Sequence, residues 1–170
     1  TRIATLASRR SDTPALNRGA SRILSLSDQT LVLLRAHATS VAAVIVHRGA
    51  GSTLTLPPWV KAPGSLVVEA GVSVHTWNDP DRTVTERLTV EAPLCTLRFE
   101  LPEGRAVVGA GPELGNWTPA LALGNGAEVT VPEGTVLEFK LIEPGDPPRW
   151  EEGENRYVLI TAEFDPDALP

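Results

Sequence analysis

Val136-Leu137-Glu138-Phe139-Lys140-Leu141-Ile142 is the stretch that decides the fold. Leu137, Phe139 and Leu141 alternate with Glu138 and Lys140, the period-two pattern of a strand with one face in a core and the other toward water. A helix would scatter these residues around its circumference, so the segment is read as a strand with Lys140 opposite the apolar set. Working outward, Leu97, Phe99 and Leu101 alternate with Arg98 and Glu100 before the turn Pro102-Glu103-Gly104. Val107-Val108 and Glu128 to Val131 supply two more strands, and Tyr157 to Phe164 a last one, with Asp165 to Pro170 read as a frayed tail. Short strands, Gly and Pro turns and no helical pattern from residue 92 onward predict a sandwich or open barrel.

The residues before it are also mostly strand-like. Ile3, Leu6, Ala7 and Arg10 stand at helical spacing and predict one short amphipathic helix, ended by Asp12-Thr13-Pro14. Leu31 to Leu34 and Val41 to Val46 are short apolar runs, while Thr53 to Leu56, Val72 to Val74 and Val84 to Val90 alternate. Gly49-Ala50-Gly51-Ser52 and Ala62-Pro63-Gly64-Ser65 are turn material. Trp59 and Trp77 are read as core or domain-contact residues. The expected fold class is therefore all-β: two small β-sandwich domains, residues 1–91 and 92–170, with one short N-terminal helix.

A length of 170 residues fits two small domains, and charge separates them. Residues 1–90 hold ten Arg/Lys and six Asp/Glu, giving +4; residues 91–170 hold five and fifteen, giving −10. The acidic second unit is a poor partner for nucleic acid, which needs clustered Lys and Arg. No run approaches the roughly 18 apolar residues of a membrane helix, so no membrane partner is expected either. Cys95 is the only cysteine, which excludes an intramolecular disulfide. With no methionine and a start at Thr1, the chain is read as a piece of a longer precursor, upstream of which a signal peptide could stand.

The candidate functional residues sit in the second unit. Trp117 follows Gly115-Asn116 and Trp150 follows Pro147-Pro148-Arg149, so each indole is expected on a turn, outside the regular strands. Lys140, Glu151 and Asn155 accompany them. Indole rings stack on the CH face of a pyranose while polar side chains take its hydroxyls, so this set suits a sugar. No nucleophile or base stands among them, and no catalytic residue, metal ligand or cofactor is assigned. Glu151, Glu152 and Glu154 read as a solvated acidic loop and not as the acid-base pair of a glycosidase, which would need two carboxylates facing across a cleft. His37, His47 and His75 lack the spacing of a metal site. Asn116-Trp117-Thr118 matches a glycosylation sequon, but a glycan there would crowd the tryptophan. Cys95 is a small strand residue.

The order Leu114-Gly115-Asn116-Trp117, then Glu138-Phe139-Lys140, then Trp150-Glu151-Glu152-Gly153-Glu154-Asn155-Arg156 resembles carbohydrate-binding module family 20, the starch-binding domains, over about residues 94–165. The resemblance implies an immunoglobulin-like domain in which Trp117 and Trp150 stack on successive glucoses of a curved α-1,4 chain. It also implies that Lys140, Glu151 and Asn155 hydrogen-bond sugar hydroxyls. Partners would be starch, glycogen, maltooligosaccharides and cyclodextrin. A second site common in that family is expected to be missing, since its strand tyrosine is matched by Ala106 and the stretch from Thr118 to Gly126 has no aromatic residue.

Residues 6–24, from Leu6-Ala7-Ser8-Arg9-Arg10 through Thr13 to Gly19 and Arg22-Ile23-Leu24, resemble the junction of the last barrel helix with the C-terminal β domain in glycoside hydrolase family 13, the α-amylase family. That likeness implies a catalytic barrel on the same polypeptide, a hydrolase or transferase parent, and an extracellular setting if the parent is a secreted bacterial amylase. A regulatory glycogen-binding scaffold with no glycosidase attached is the alternative.

Overall fold

The structure, a computed structural model, describes residues 2–56, 65–78 and 93–161. The chain divides into two compact units, Thr1–Thr83 and Val84–Pro170. Trp59, the strand expected over Val84 to Val90, the boundary expected at 91/92 and the tail after Thr161 lie outside the described residues. Both units are built from strands, and the fold is all-β with short helical pieces.

In the first unit, α1 spans Arg2–Asp12 and α2 spans Pro14–Arg18. The expected helix is there, but Pro14 does more than end it. A proline at the first helical position loses no hydrogen bond, so the same residue opens a second short helix. Ala15 of α2 is fully buried and its N–H donates to Ser40 Oγ at 2.9 Å. Strands β1 (Ala20–Leu26), β2 (Thr30–His37) and β3 (Ser40–His47) come next, then β4 (Ser52–Thr55), β5 (Ser65–Val68) and β6 (Gly71–Asn78). They form an antiparallel sheet in the order β1-β2-β3-β6, with β4 and β5 paired separately. Val41, Ala42 and Ala43 are buried in succession, so the first half of β3 is covered on both faces, while Val44 and Val46 beyond it are half-buried.

The three histidines are dispersed on this sheet. His47 pairs opposite Thr30, whereas His37 lies at the far end of the same hairpin opposite Ser40. His47 is held by Thr30 Oγ1 at 2.9 Å and the Ala50 carbonyl at 2.7 Å, and His75 by Ser73 Oγ at 3.2 Å. Trp77 is half-buried on β6, its ring stacked on His75 at a centroid distance of 6.3 Å and an interplanar angle of 16°.

The second unit contains β7 (Leu94–Arg98), β8 (Ala106–Gly109), β9 (Glu128–Pro132), β10 (Val136–Glu143), β11 (Arg149–Trp150) and β12 (Arg156–Leu159). β7 pairs with β9, while β10 is central to the other sheet, with β8 along one side and both β11 and β12 along the other. Phe99, Val107, Leu114, Val129, Val131, Leu137 and Ile160 form the core, against which Phe139 and Leu141 pack. Phe99 and Phe139 meet edge to face, with ring centroids 5.6 Å apart. β7 stops at Arg98, one residue short of Phe99, yet Phe99 is still buried. Cys95 on β7 packs against this core, and burial, with the nearby Glu133 carboxylate, pushes its thiol above the usual range.

The alternation of β10 is as expected in its middle, but toward its two ends Val136 and Ile142 are buried on the face of Glu138 and Lys140. Ile142 is fully buried among Ala106, Val108 and Ala122. That face of the sheet thus carries a small apolar patch of its own, and Ala106 is part of the support beneath it.

Candidate functional site

Trp117 ends a tight 3₁₀ turn, Pro112–Trp117. Leu114 anchors the turn in the core, fully buried. The chain then reverses through Gly115, Asn116 and Trp117 at φ of 76°, 50° and 60°. Gly115 is required here: besides the positive φ, a Cβ would lie 2.8 Å from Leu121 Cβ and 2.9 Å from the Leu121 carbonyl oxygen. Asn116 tolerates the left-handed region, but a bulky tryptophan there is unusual and costs roughly 1–2 kcal/mol. Bonds from Asn116 N–H to Gly111 O (2.9 Å) and Thr118 N–H to Gly115 O (2.9 Å) hold the reversal.

Trp150 arrives from the opposite side of the sheet. The sequence places it on a turn; the structure places it in the two-residue strand β11, directly opposite Ile142. Opposed residues of an antiparallel pair share a face, so the indole stands over the Ile142 patch on the Lys140 side. It is 38% exposed, against complete burial of Ile142 opposite it. Trp117 and Trp150 come within 6.5 Å, centroid to centroid, their planes inclined at 38°.

Between Trp150 and Arg156 the edge strand is interrupted. Trp150 faces Ile142 and Arg156 faces Phe139, so the chain from 150 to 156 is longer than the stretch of β10 it covers, and the surplus arches out as a loop. β10 pins that loop. Lys140 Nζ donates to the Gly153 carbonyl at 2.6 Å and to the Glu151 carbonyl at 3.4 Å, using two of its three protons. Glu151 turns inward: Oε1 accepts from Leu141 N–H at 2.9 Å, and Arg156 forms a forked pair with the same carboxylate, at 2.8 Å for Nη2 to Oε2. Burial works against ionising Glu151, but the hydrogen bonds from Arg156 and Leu141 N–H, with the charges of Arg156 and Lys140, outweigh it and hold the carboxyl below its usual range. Arg156 is raised in turn, by its hydrogen bond to Glu151 first and against its own desolvation.

Asn155 ends the loop. Its Nδ2 donates to Glu138 Oε1 at 2.6 Å, and the Tyr157 hydroxyl donates to the same oxygen at 2.8 Å. The five residues singled out from sequence therefore fall in two groups. The tryptophans form a pair at the surface, while Lys140, Glu151 and Asn155 are tied into one loop beside Trp150. Glu138, Tyr157 and Arg156 complete the arrangement; the alternation that places Lys140 outward places Glu138 outward too. Beside Trp150, Arg105, Glu143, Arg149, Glu151 and Glu152 line a polar cavity of about 230 Å³, crossed by the Arg105–Glu143 ion pair at 2.9 Å.

Among the solved structures to which the chain is similar in part are two proteins that are glucan-active by name. One is the ligand-free cyclic α-maltosyl-(1→6)-maltose hydrolase of Arthrobacter globiformis, at 29% identity over 45% of this chain and 18% of that one, with a TM-score of 0.39. The other is a γ-CGTase from alkalophilic Bacillus clarkii, at 17% identity over 95% of this chain and 42% of that one, with a TM-score of 0.34. The chain thus spans less than half the length of either. No protein-family model and no curated protein matches it.

Proposed function

We propose that the second unit binds α-1,4-glucan through the Trp117–Trp150 pair, as the non-catalytic, starch- or glycogen-binding region of an α-amylase-type glycosidase. The observation that carries this reading is the inclined indole pair on the Lys140 face of the sheet. Successive glucoses of an α-1,4 chain are inclined to one another, whereas those of a β-1,4 chain lie nearly flat. Two rings at 38° suit the first. Trp117 in particular sits in a strained backbone conformation, and strain of this kind persists where the surroundings support it and concentrates at binding sites.

The polar groups fit the same ligand with different weights. Lys140 keeps a proton to donate, and Asn155 keeps its amide oxygen. Glu151 is committed to Leu141 and Arg156, so it acts by holding the loop more than by meeting a hydroxyl. If stacking contributes roughly 1–3 kcal/mol per ring, as for bases on aromatic side chains, two rings and a few hydrogen bonds correspond to about micromolar affinity. That suits a module that releases and rebinds a polymer while linkage to a catalytic domain raises its effective concentration. Ala106 and the Thr118 to Gly126 stretch offer no second aromatic platform, so one site per chain is proposed.

Titration with β-cyclodextrin, followed by tryptophan fluorescence, tests the reading. A single site is expected, with Trp117→Ala and Trp150→Ala each lowering affinity by about tenfold or more. Unchanged affinity in both variants sinks the assignment, and two independent sites per chain would sink the one-site reading.

A further inference from the structure

Glu138 lies beneath the loop and has no place in the proposed contacts, yet it decides what Asn155 shows to a ligand. An amide side chain presents two chemically opposite ends, a donor NH₂ and an acceptor oxygen, and an unrestrained asparagine can offer either. The Glu138 carboxylate only accepts hydrogen bonds. With Asn155 at 2.6 Å from Oε1, the end facing Glu138 must be the nitrogen. Tyr157 donates to the same oxygen from directly across the ladder, where Tyr157 pairs with Glu138. That second bond keeps the carboxylate from turning away.

We infer that Glu138 is a positioning residue, held by Tyr157, that locks the Asn155 amide with its oxygen outward and so makes this corner of the site an obligate acceptor. The inference rests on the glucan-binding reading for its consequence but not for its geometry. Lys140, whose two loop contacts leave one proton, is the neighbouring donor on the same strand face. The polar part of the site is then a fixed donor beside a fixed acceptor. A ligand must answer with one group that accepts and one that donates, which two neighbouring hydroxyls do and a carboxylate or phosphate does not. Anionic sugars are thereby disfavoured at Asn155.

Exchanging donor and acceptor tests it. In Asn155→Asp, two carboxylates meet where one bond stood, and β-cyclodextrin affinity is expected to fall by about tenfold or more. Adding Glu138→Gln places a donor opposite the new carboxylate, so the double variant should recover to within about threefold of the parent chain. Equal affinity of Asn155→Asp and the double variant, in a parent that binds cyclodextrin, overturns the inference and leaves the glucan reading standing. A parent that does not bind overturns the glucan reading. The inference is then judged on the Asn155 side-chain NH₂ resonances, which must shift and exchange faster with water in Glu138→Ala while the backbone amide spectrum is retained. Unmoved resonances overturn it.

Discussion

Two aromatic pairs stand on this chain at nearly the same separation and are made in different ways. His75 and Trp77 are two residues apart on β6, 6.3 Å between centroids and almost parallel at 16°. Strand periodicity alone aligns them, since i and i+2 share a face. Trp117 and Trp150 come from distant parts of the sequence and meet at 6.5 Å and 38°. That pair needs a left-handed reversal, a glycine with no room for a methyl group, and a two-residue strand set against β10. A stacked pair that costs nothing extra says little about function. A pair whose backbone costs free energy to hold says more.

The largest effect is expected from removing that backbone. Gly115→Val adds a branched side chain at positive φ against Leu121, and should lower stability of the second unit by about 2–5 kcal/mol, read as a shift in the urea midpoint. Gly71, the first residue of β6, also has a positive φ, 122°, but open space around its Cβ position, so Gly71→Ala meets backbone strain without a clash and should cost less. A Gly115→Val protein as stable as the parent would make the two pairs equivalent in construction.

A smaller effect is expected from acid. Glu151 has its folded-state carboxyl held below the usual range, so its contribution is fully present above the ordinary carboxylate pKa and is lost as pH falls through the depressed folded value. Stability of the second unit should fall across that acid window, and Glu151→Gln should flatten the fall while lowering stability at neutral pH. Identical acid profiles for parent and variant would remove Glu151 from the support of Trp150. The smallest effect concerns the control pair: Trp77→Ala should leave β-cyclodextrin affinity within about twofold of the parent, since two residues on a regular strand are the ordinary lining of a sheet. A clear loss would assign sugar binding to both pairs.

Strands are legible in the sequence where one face is buried and the other wet. β10 shows it best, because Leu137, Phe139 and Leu141 against Glu138 and Lys140 admit one register. Trp117 is legible as a turn residue from Gly115-Asn116. The helix α2 is not, because Pro14 is a stop signal for the helix before it and a start signal for the helix after it. β11 is not, because two residues carry no period, and its pairing is set by the length of the arched loop. The inward turn of Glu151 is also hidden. Three acidic residues in one loop read as solvated, and nothing in the sequence shows that the first of them accepts from the Leu141 N–H and pairs with Arg156. Glu138 and Tyr157 have no motif to announce them, although alternation already places Glu138 outward.

The break between β11 and β12 has a further consequence. An unbroken edge strand beside β10 would expose a row of unpaired N–H and C=O groups to any neighbouring chain, the usual seed of edge-to-edge aggregation. Among the described residues that edge is two residues long on one side and four on the other, separated by a loop that leaves Glu152 and Glu154 exposed. If the second unit binds glucan as proposed, many copies along one polysaccharide would meet at high local concentration. On the proposed glucan-binding reading, the interruption between β11 and β12 would keep such copies from pairing edge to edge.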